Sequence, residues 1–340
     1  MLVVLLATAW AGYGDAEEGR PSHAEREVHF WTNAVRVDPA AFKDEVVDRS
    51  GKSCWDEFKP AEKQAMAPLA LHPGLAEIAR LHSADMRSHN TLSHDSTDGT
   101  PMERRLAPYY KGAYIGENVA AGHPDAYAVL FEDGWMCSSG HRSNILLADF
   151  EDFGVGADGV WWTQDFGSRG RGVRPMNMGI HLPRKPRGSA TFAVDVVGSP
   201  GAVDVVVDGQ RHALAVEYGE PDQGIWSVQL DGLADGCHTY WFEAVIDGAA
   251  VTWPEEGGYG FGGCSFDDAE AEWLAASSLP GGRGAPGAVD DGDPADPDPG
   301  VSLGEAAGGC CDAPEGDGVP LGSVAGMFLL GAAGRRRRQA

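Results

Sequence analysis

Residues 153–158 read FGVGAD and residues 161–167 read WWTQDFG. Both stretches alternate in character and carry glycines near their ends, so they read as two strands of one sheet. Upstream, Leu75, Ile78, Ala79, His82 and Met86 fall at i, i+3, i+4, i+7 and i+11. That single apolar stripe predicts a helix over about 73–90 and places His82 on its buried face as a core histidine. Ser22 followed by Glu25 forms a capping box ahead of Val28, Trp31 and Val35, which predicts a helix from His23 that stops before Asp38 and Pro39. A third helix is expected over about 124–137. It leads into GWMCSSGHRSNIL (134–146), where His141 and Arg142 read as helix terminators that interact with the last carbonyls. Asp95 to Gly99 reads as a loop over a cleft. Helices followed by strands make this part α+β.

The chain has 340 residues, which suggests about two domains plus accessory segments on a prior of roughly 150 residues per domain. With 26 Lys and Arg against 51 Asp and Glu the formal net charge is −25, which disfavours nucleic acid and anionic membrane surfaces as partners. Leu2 to Ala11 is apolar and contains Ala7, Ala9 and Ala11 before an abrupt change to polar residues, so residues 1–14 read as a secretory signal peptide. Export permits disulfides. Cys54 with Cys137 and Cys237 with Cys264 each fall inside one expected domain, and Cys310 and Cys311 are adjacent.

Downstream of the first part, ATFAVDVV, AVDVVVDGQ, GIWSVQLDG, CHTYWFEAVIDG and AVTWP are short alternating strands. Turn signals at Asp208-Gly209, Asp231-Gly232 and Asp247-Gly248 separate them, which suits a small β-sandwich of immunoglobulin-like type over residues 185–275. Residues 276–318 form an acidic linker rich in Pro and Gly that has too little apolar surface to order itself. Val319 to Ala333 is apolar and ends before four arginines, Arg335 to Arg338. At 15 residues it spans roughly 22 Å, short of a ~30 Å hydrocarbon core.

Several motifs occur in a recognisable order: LHSADMRSHNTLSHDSTDGTPMERRL (81–106), YIGENVAAG (114–122), GWMCSSGHRSNIL, FGVGAD and WWTQDFG. In this order they resemble the SCP-like extracellular domain of the CAP superfamily, in its bacterial variety. The resemblance covers less than half of the chain and assigns residues 22–184 to that domain. It implies an α-β-α sandwich, with a central antiparallel sheet between helical layers and a cleft on one side. The order of cysteine, spacer, apolar segment and arginines in residues 319–340 resembles a myxobacterial-type C-terminal sorting signal. That resemblance implies processing or lipidation near Cys310 or Cys311 and a location at the bacterial outer membrane or outside the cell. A plain membrane anchor is the alternative.

Members of the family place two histidines and two glutamates around the cleft, and some bind a divalent metal there. By motif, the first histidine is His94 and the first glutamate is Glu117. The second glutamate falls on Ser138 and the second histidine on Trp161, so half of the set is lost, and His141 approaches the cleft from another place. His94, Glu117 and His141 are therefore the candidate catalytic residues, and Ser138 joins them as a candidate binding residue. His94 and His141 are also candidate ligands for a divalent metal, zinc or magnesium, although no cofactor is required. Glu117 reads either as a cleft ligand or as a loop-orienting carboxylate, and Asn118 as a buried loop-fixing amide. Three functions follow as expectations. The first is a non-enzymatic surface module whose cleft holds a lipid, glycan or peptide and whose tail engages the cell envelope. The second is a peptidase-like hydrolase that uses His94, Glu117 and His141. The third is an adhesive protein that acts through its β-sandwich.

Overall fold

Ser22 starts the first helix, α1 (His23–Val37), through the expected capping box: its hydroxyl accepts from the Glu25 amide, and the Glu25 carboxylate accepts from the Ser22 amide. The computed structural model describes residues 21–170, 174–255 and 257–264. The leader, the acidic linker, the apolar tail with its arginines, and Cys310 and Cys311 lie outside the described residues. Among the described residues no helix is long and apolar enough to cross a membrane.

Helix α2 (Pro73–His89) buries Leu75, Ile78, Ala79, His82 and Met86, the stripe read from the sequence. It lies on a four-stranded sheet of β1 (Ala70–Leu71), β2 (Tyr114–Ala121), β3 (Asp152–Asp158) and β4 (Trp161–Ser168), in the order β1-β3-β4-β2. The long strands are antiparallel, and β1 adds a two-residue parallel pair to β3. Gly154 and Gly156 of β3 let α2 come close: a Cβ at Gly156 would stand 2.1 Å from the Ala79 carbonyl carbon and the Arg80 nitrogen. Helix backbone cannot yield as a side-chain tip does. Gly156→Ala is therefore expected to destabilise the protein by ~2–3 kcal/mol in urea unfolding, and a change within ~0.5 kcal/mol would refute the close-approach account.

The helix expected over 124–137 is two helices. The short α3 (Met102–Leu106) precedes β2, and α4 (Ala126–Phe131) then ends at Glu132. Asp133 takes a positive φ of 53°, and Gly134 packs against Val129 so tightly that a Cβ would lie 2.3 Å from its carbonyl oxygen. The chain turns there, and α5 (Ser139–Ile145) begins after Ser138. The Cys54–Cys137 disulfide ties this turn to the segment after α1.

The remaining strands form two facing sheets. One has the order β5-β6-β10-β9, from β5 (Met176–Leu182), β6 (Ser189–Val197), β9 (Ala215–Glu220) and β10 (Gln223–Asp231). The other has the order β12-β11-β7-β8, from β7 (Pro200–Val207), β8 (Gln210–Ala213), β11 (His238–Ile246) and β12 (Ala249–Trp253), with β13 (Tyr259–Phe261) paired to β11. Phe192, Val194 and Val196 of β6 meet Val203, Val205 and Val207 of β7 in one core with Tyr240 and Phe242. Asp208 and Asp247 adopt positive φ ahead of Gly209 and Gly248, as the turn residues of two hairpins. Cys237 and Cys264 are bridged, as their placement suggested.

Alternation along β6 sends its other side chains towards α1. Ala193, with Ile180 and Ile225, belongs to the core that holds α1 and the first sheet. Asn33 of α1 donates to Asp195 at 2.6 Å, and Arg26 donates to the Tyr240 hydroxyl at 2.9 Å. The β5-β6-β10-β9 sheet is thus buried on both faces, and α1 is the shared layer between the two halves of the fold.

Candidate functional site

Glu117 and Asn118 stand in the middle of β2, not in a loop, and their side chains leave opposite faces because successive strand residues alternate. Asp165 of β4 is the cross-strand partner of Glu117, and Gly154 of β3 is the next residue across. Two carboxyls therefore meet under α2. The His94 ring closes the first side of Glu117, with Nδ1 2.8 Å from Oε1. The Arg105 guanidinium pairs with Oε2 and also donates to the His94 carbonyl at 2.6 Å. His82 Nε2 lies 3.9 Å from Oε1, and the Glu117 and His82 side chains are fully buried.

Charges sort accordingly. Burial first, and the negative charge of Glu117 second, push the Asp165 carboxyl well above the usual carboxylate range, against the pull of Arg105. No donor among the described residues reaches either Asp165 oxygen. Held neutral, Asp165 can donate its own proton to Glu117. Burial also keeps His82 below the ordinary imidazole range. One negative charge, on Glu117, is matched by one permanent positive charge, on Arg105.

His141 does not terminate a helix; it sits in the first turn of α5, because the chain has already turned at Asp133 and Gly134. Burial and then the neighbouring His94 push its imidazole down to about 4, so it is neutral near pH 7. Its carbonyl accepts from Asn118 Nδ2 at 3.1 Å, and Asn118 also donates to Gln164 Oε1 at 3.0 Å. Asn118 is the buried fixing amide expected, though within a strand. Arg142 is an anchor: it donates to Glu62 Oε2 at 3.0 Å and to the Met136 carbonyl at 2.9 Å.

The structure thus brings His94 and Glu117 into direct contact and sets His141 beside His94. Ser138 is the N-cap of α5 without a side-chain cap bond. Trp161 pairs with Ala121, four residues along β4 from Asp165, or roughly 13 Å. Among the described residues no set of three or more His, Cys, Asp or Glu side chains is arranged to hold a metal ion. The donor chemistry agrees: His94 and Arg105 take the two oxygens of Glu117, so a divalent ion would have to displace a guanidinium from its carboxylate. The residues do not fit a catalytic metal, which needs three convergent ligands.

Arg105 and Asp165 are the site residues that sequence reasoning missed. Asp165 had a signal, since it shares a strand face with Thr163 between buried neighbours. Arg105 had none to separate it from Arg104, which is exposed. On the other side of His82 and Arg105 opens a cleft of about 520 Å³, bordered by Ile78, Leu81, Asp85 and Thr97. The loop from Asp95 to Gly99 borders it, as its sequence suggested.

Residues 30–166 match the family model described as Cysteine-rich secretory protein family (CAP). The chain is 40% identical over 110 residues to the uncharacterized protein YkwD of Bacillus subtilis (strain 168), a match that covers 31% of this chain and 41% of that protein. It is 35% identical over 105 residues to the uncharacterized membrane protein YlbC of the same organism, over 31% of this chain and 30% of that protein. A solved extracellular protein containing a SCP domain from Bacillus anthracis str. Ames is 37% identical, with 31% of this chain and 35% of that chain covered and a TM-score of 0.29. The chain thus spans less than half the length of the curated relatives it matches. These matches support a CAP (SCP-like) domain in the first half of the described chain.

Proposed function

We propose that this chain is an exported surface module that binds a ligand without transforming it, with the cleft beside α2 as the ligand seat. The observation that carries this reading is the state of Glu117. Its oxygens are taken by His94 and Arg105, and its neighbour Asp165 is held neutral, so the carboxylate braces the cleft wall from behind and is not presented to a substrate. Ligands in keeping with the cleft are a lipid, a glycan or a peptide. Export rests on the leader-like residues 1–14 and on two disulfides, which persist in oxidising surroundings. Attachment to the envelope near Cys310 or Cys311 rests on the composition of the tail.

One observation favours a second reading as a hydrolase. Glu117 bonded to His94 at 2.8 Å is the arrangement that orients an imidazole as a general base. The two readings differ in one measurement. The purified full-length chain, assayed on a panel of peptidase, glycosidase and esterase substrates, is expected to give no turnover above buffer. A turnover that falls at least a hundredfold in His94→Ala would make the hydrolase reading the correct one.

A further inference from the structure

The cleft floor carries two buried polar atoms that the protein leaves unpaired. His82 and Arg105 both line it, their side chains 0% and 7% exposed. Among the described residues neither His82 Nδ1 nor Arg105 Nε has a hydrogen-bond partner. Their chemistry can be assigned. His82 Nε2 lies 2.8 Å from the Ser93 carbonyl, which can only accept, so Nε2 carries the proton. The ring is neutral because burial lowers its basicity, and Nδ1 is then a bare acceptor. Arg105 Nε–H is a donor only. Each buried polar group left without a partner costs about 1–3 kcal/mol, so a ligand that satisfies both gains more than its apolar contact alone provides.

One acceptor and one donor on a shared floor are the complement of a secondary amide, which offers one N–H and one C=O. Beside them are apolar surfaces: Ile78 is buried and Leu81 is 51% exposed at the mouth. The opposite rim is made of hydroxyls and carboxylates from Asp85, Ser96, Thr97 and Asp98. Such a rim suits sugar hydroxyls and opposes an acyl chain. The volume, about 520 Å³, lies within the range of small-ligand sites.

We infer that the cleft beside α2 recognises an N-acetylated amino sugar in a glycan, its acetamido group reaching His82 and Arg105 and its methyl group packing on Ile78 and Leu81. The inference rests on the binding-module reading and names the ligand class for it. The test titrates the full-length chain by calorimetry with the trimer of N-acetylglucosamine, the trimer of glucosamine and the trimer of glucose. The acetylated trimer is expected to bind at least tenfold more tightly than either other sugar. Leu81→Asp, at an exposed position, is expected to weaken it at least tenfold, whereas Leu92→Asp, equally exposed and outside the cleft, leaves it unchanged. Equal binding of the three sugars, or an unaffected Leu81→Asp variant, overturns the inference. Tighter binding of an N-acetylated dipeptide than of the acetylated trimer, with the same Leu81 dependence, overturns the sugar assignment while leaving the binding-module reading in place. If neither the sugars, the dipeptide nor neutral phospholipid vesicles bind, both fall.

Discussion

Arg105→Ala is expected to cost ~3–5 kcal/mol of folding stability, the range for removing one partner of a buried ion pair. The side chain is 7% exposed and faces a Glu117 side chain that is 0% exposed. Without the guanidinium, Glu117 keeps its charge beside Asp165 with only His94 and His82 near it. Arg105 also holds the His94 carbonyl and the Ser96 hydroxyl, so its loss loosens the loop that borders the cleft. The double variant Arg105→Ala/Glu117→Gln separates the two effects. An amide carries no charge to compensate, and most of the lost stability should return, leaving the smaller cost of the freed loop. Denaturant midpoints and slopes for the parent, both single variants and the double variant give the coupling energy directly. A loss below ~1 kcal/mol in Arg105→Ala, or an additive double variant, would mean that the pair does not hold the site together.

What could be read from the residues alone divides along the range of the forces involved. Helix α1 was legible from Ser22 to Asp38 because a capping box and a proline stop are local devices, and α2 because its stripe repeats within one helix. Strands β3 and β4, and the hairpins at Asp208-Gly209 and Asp247-Gly248, were legible for the same reason. The run 124–137 was not, since its break depends on Gly134 packing onto Val129, a contact that helix periodicity does not display. With the break missed, His141 was placed at the end of a helix instead of the start of the next. The contact of His94 with Glu117 came from the family resemblance, because the 23 residues between them carry no distance information. Arg104 and Arg105 differ only in which side of a five-residue helix they occupy. The shared layer at α1 was hidden most completely: Asn33 and Asp195 are 162 residues apart, and nothing near either one announces the other.

The GHR stretch shows how one motif can carry structure and position at once. Arg142 secures the turn through Glu62 and the Met136 carbonyl, and the His141 carbonyl holds Asn118. The imidazole is then left beside His94, where a second proton would be repelled. A motif whose backbone and guanidinium are used for folding restricts its histidine to one location. That restriction accounts for the recurrence of the stretch in a recognisable order without requiring catalysis by His141.

Asp195→Asn is expected to stabilise the protein, by ~3–5 kcal/mol at pH 8 and by less than ~1 kcal/mol at pH 4. The carboxyl lies fully buried on the face of β6 that meets α1, and burial pushes it up to about 8, although the hydrogen bond from Asn33 pulls the other way. The folded value therefore exceeds the unfolded value of about 3.9. Between the two, the unfolded chain has released its proton while the folded chain retains it. The stability associated with the group is present in full below pH ~4 and is lost progressively as the pH rises towards 8. Asparagine has the same shape, keeps an oxygen for the Asn33 amide and cannot ionise, so its variant escapes that loss. Denaturant unfolding of both proteins at intervals from pH 4 to 8 should give curves that diverge as pH rises, and parallel curves would show that Asp195 is not held neutral. The choice of a carboxyl at this place has a structural consequence. It makes the contact between α1 and the β5-β6-β10-β9 sheet weaken in alkali, at the one layer on which both halves of the fold depend.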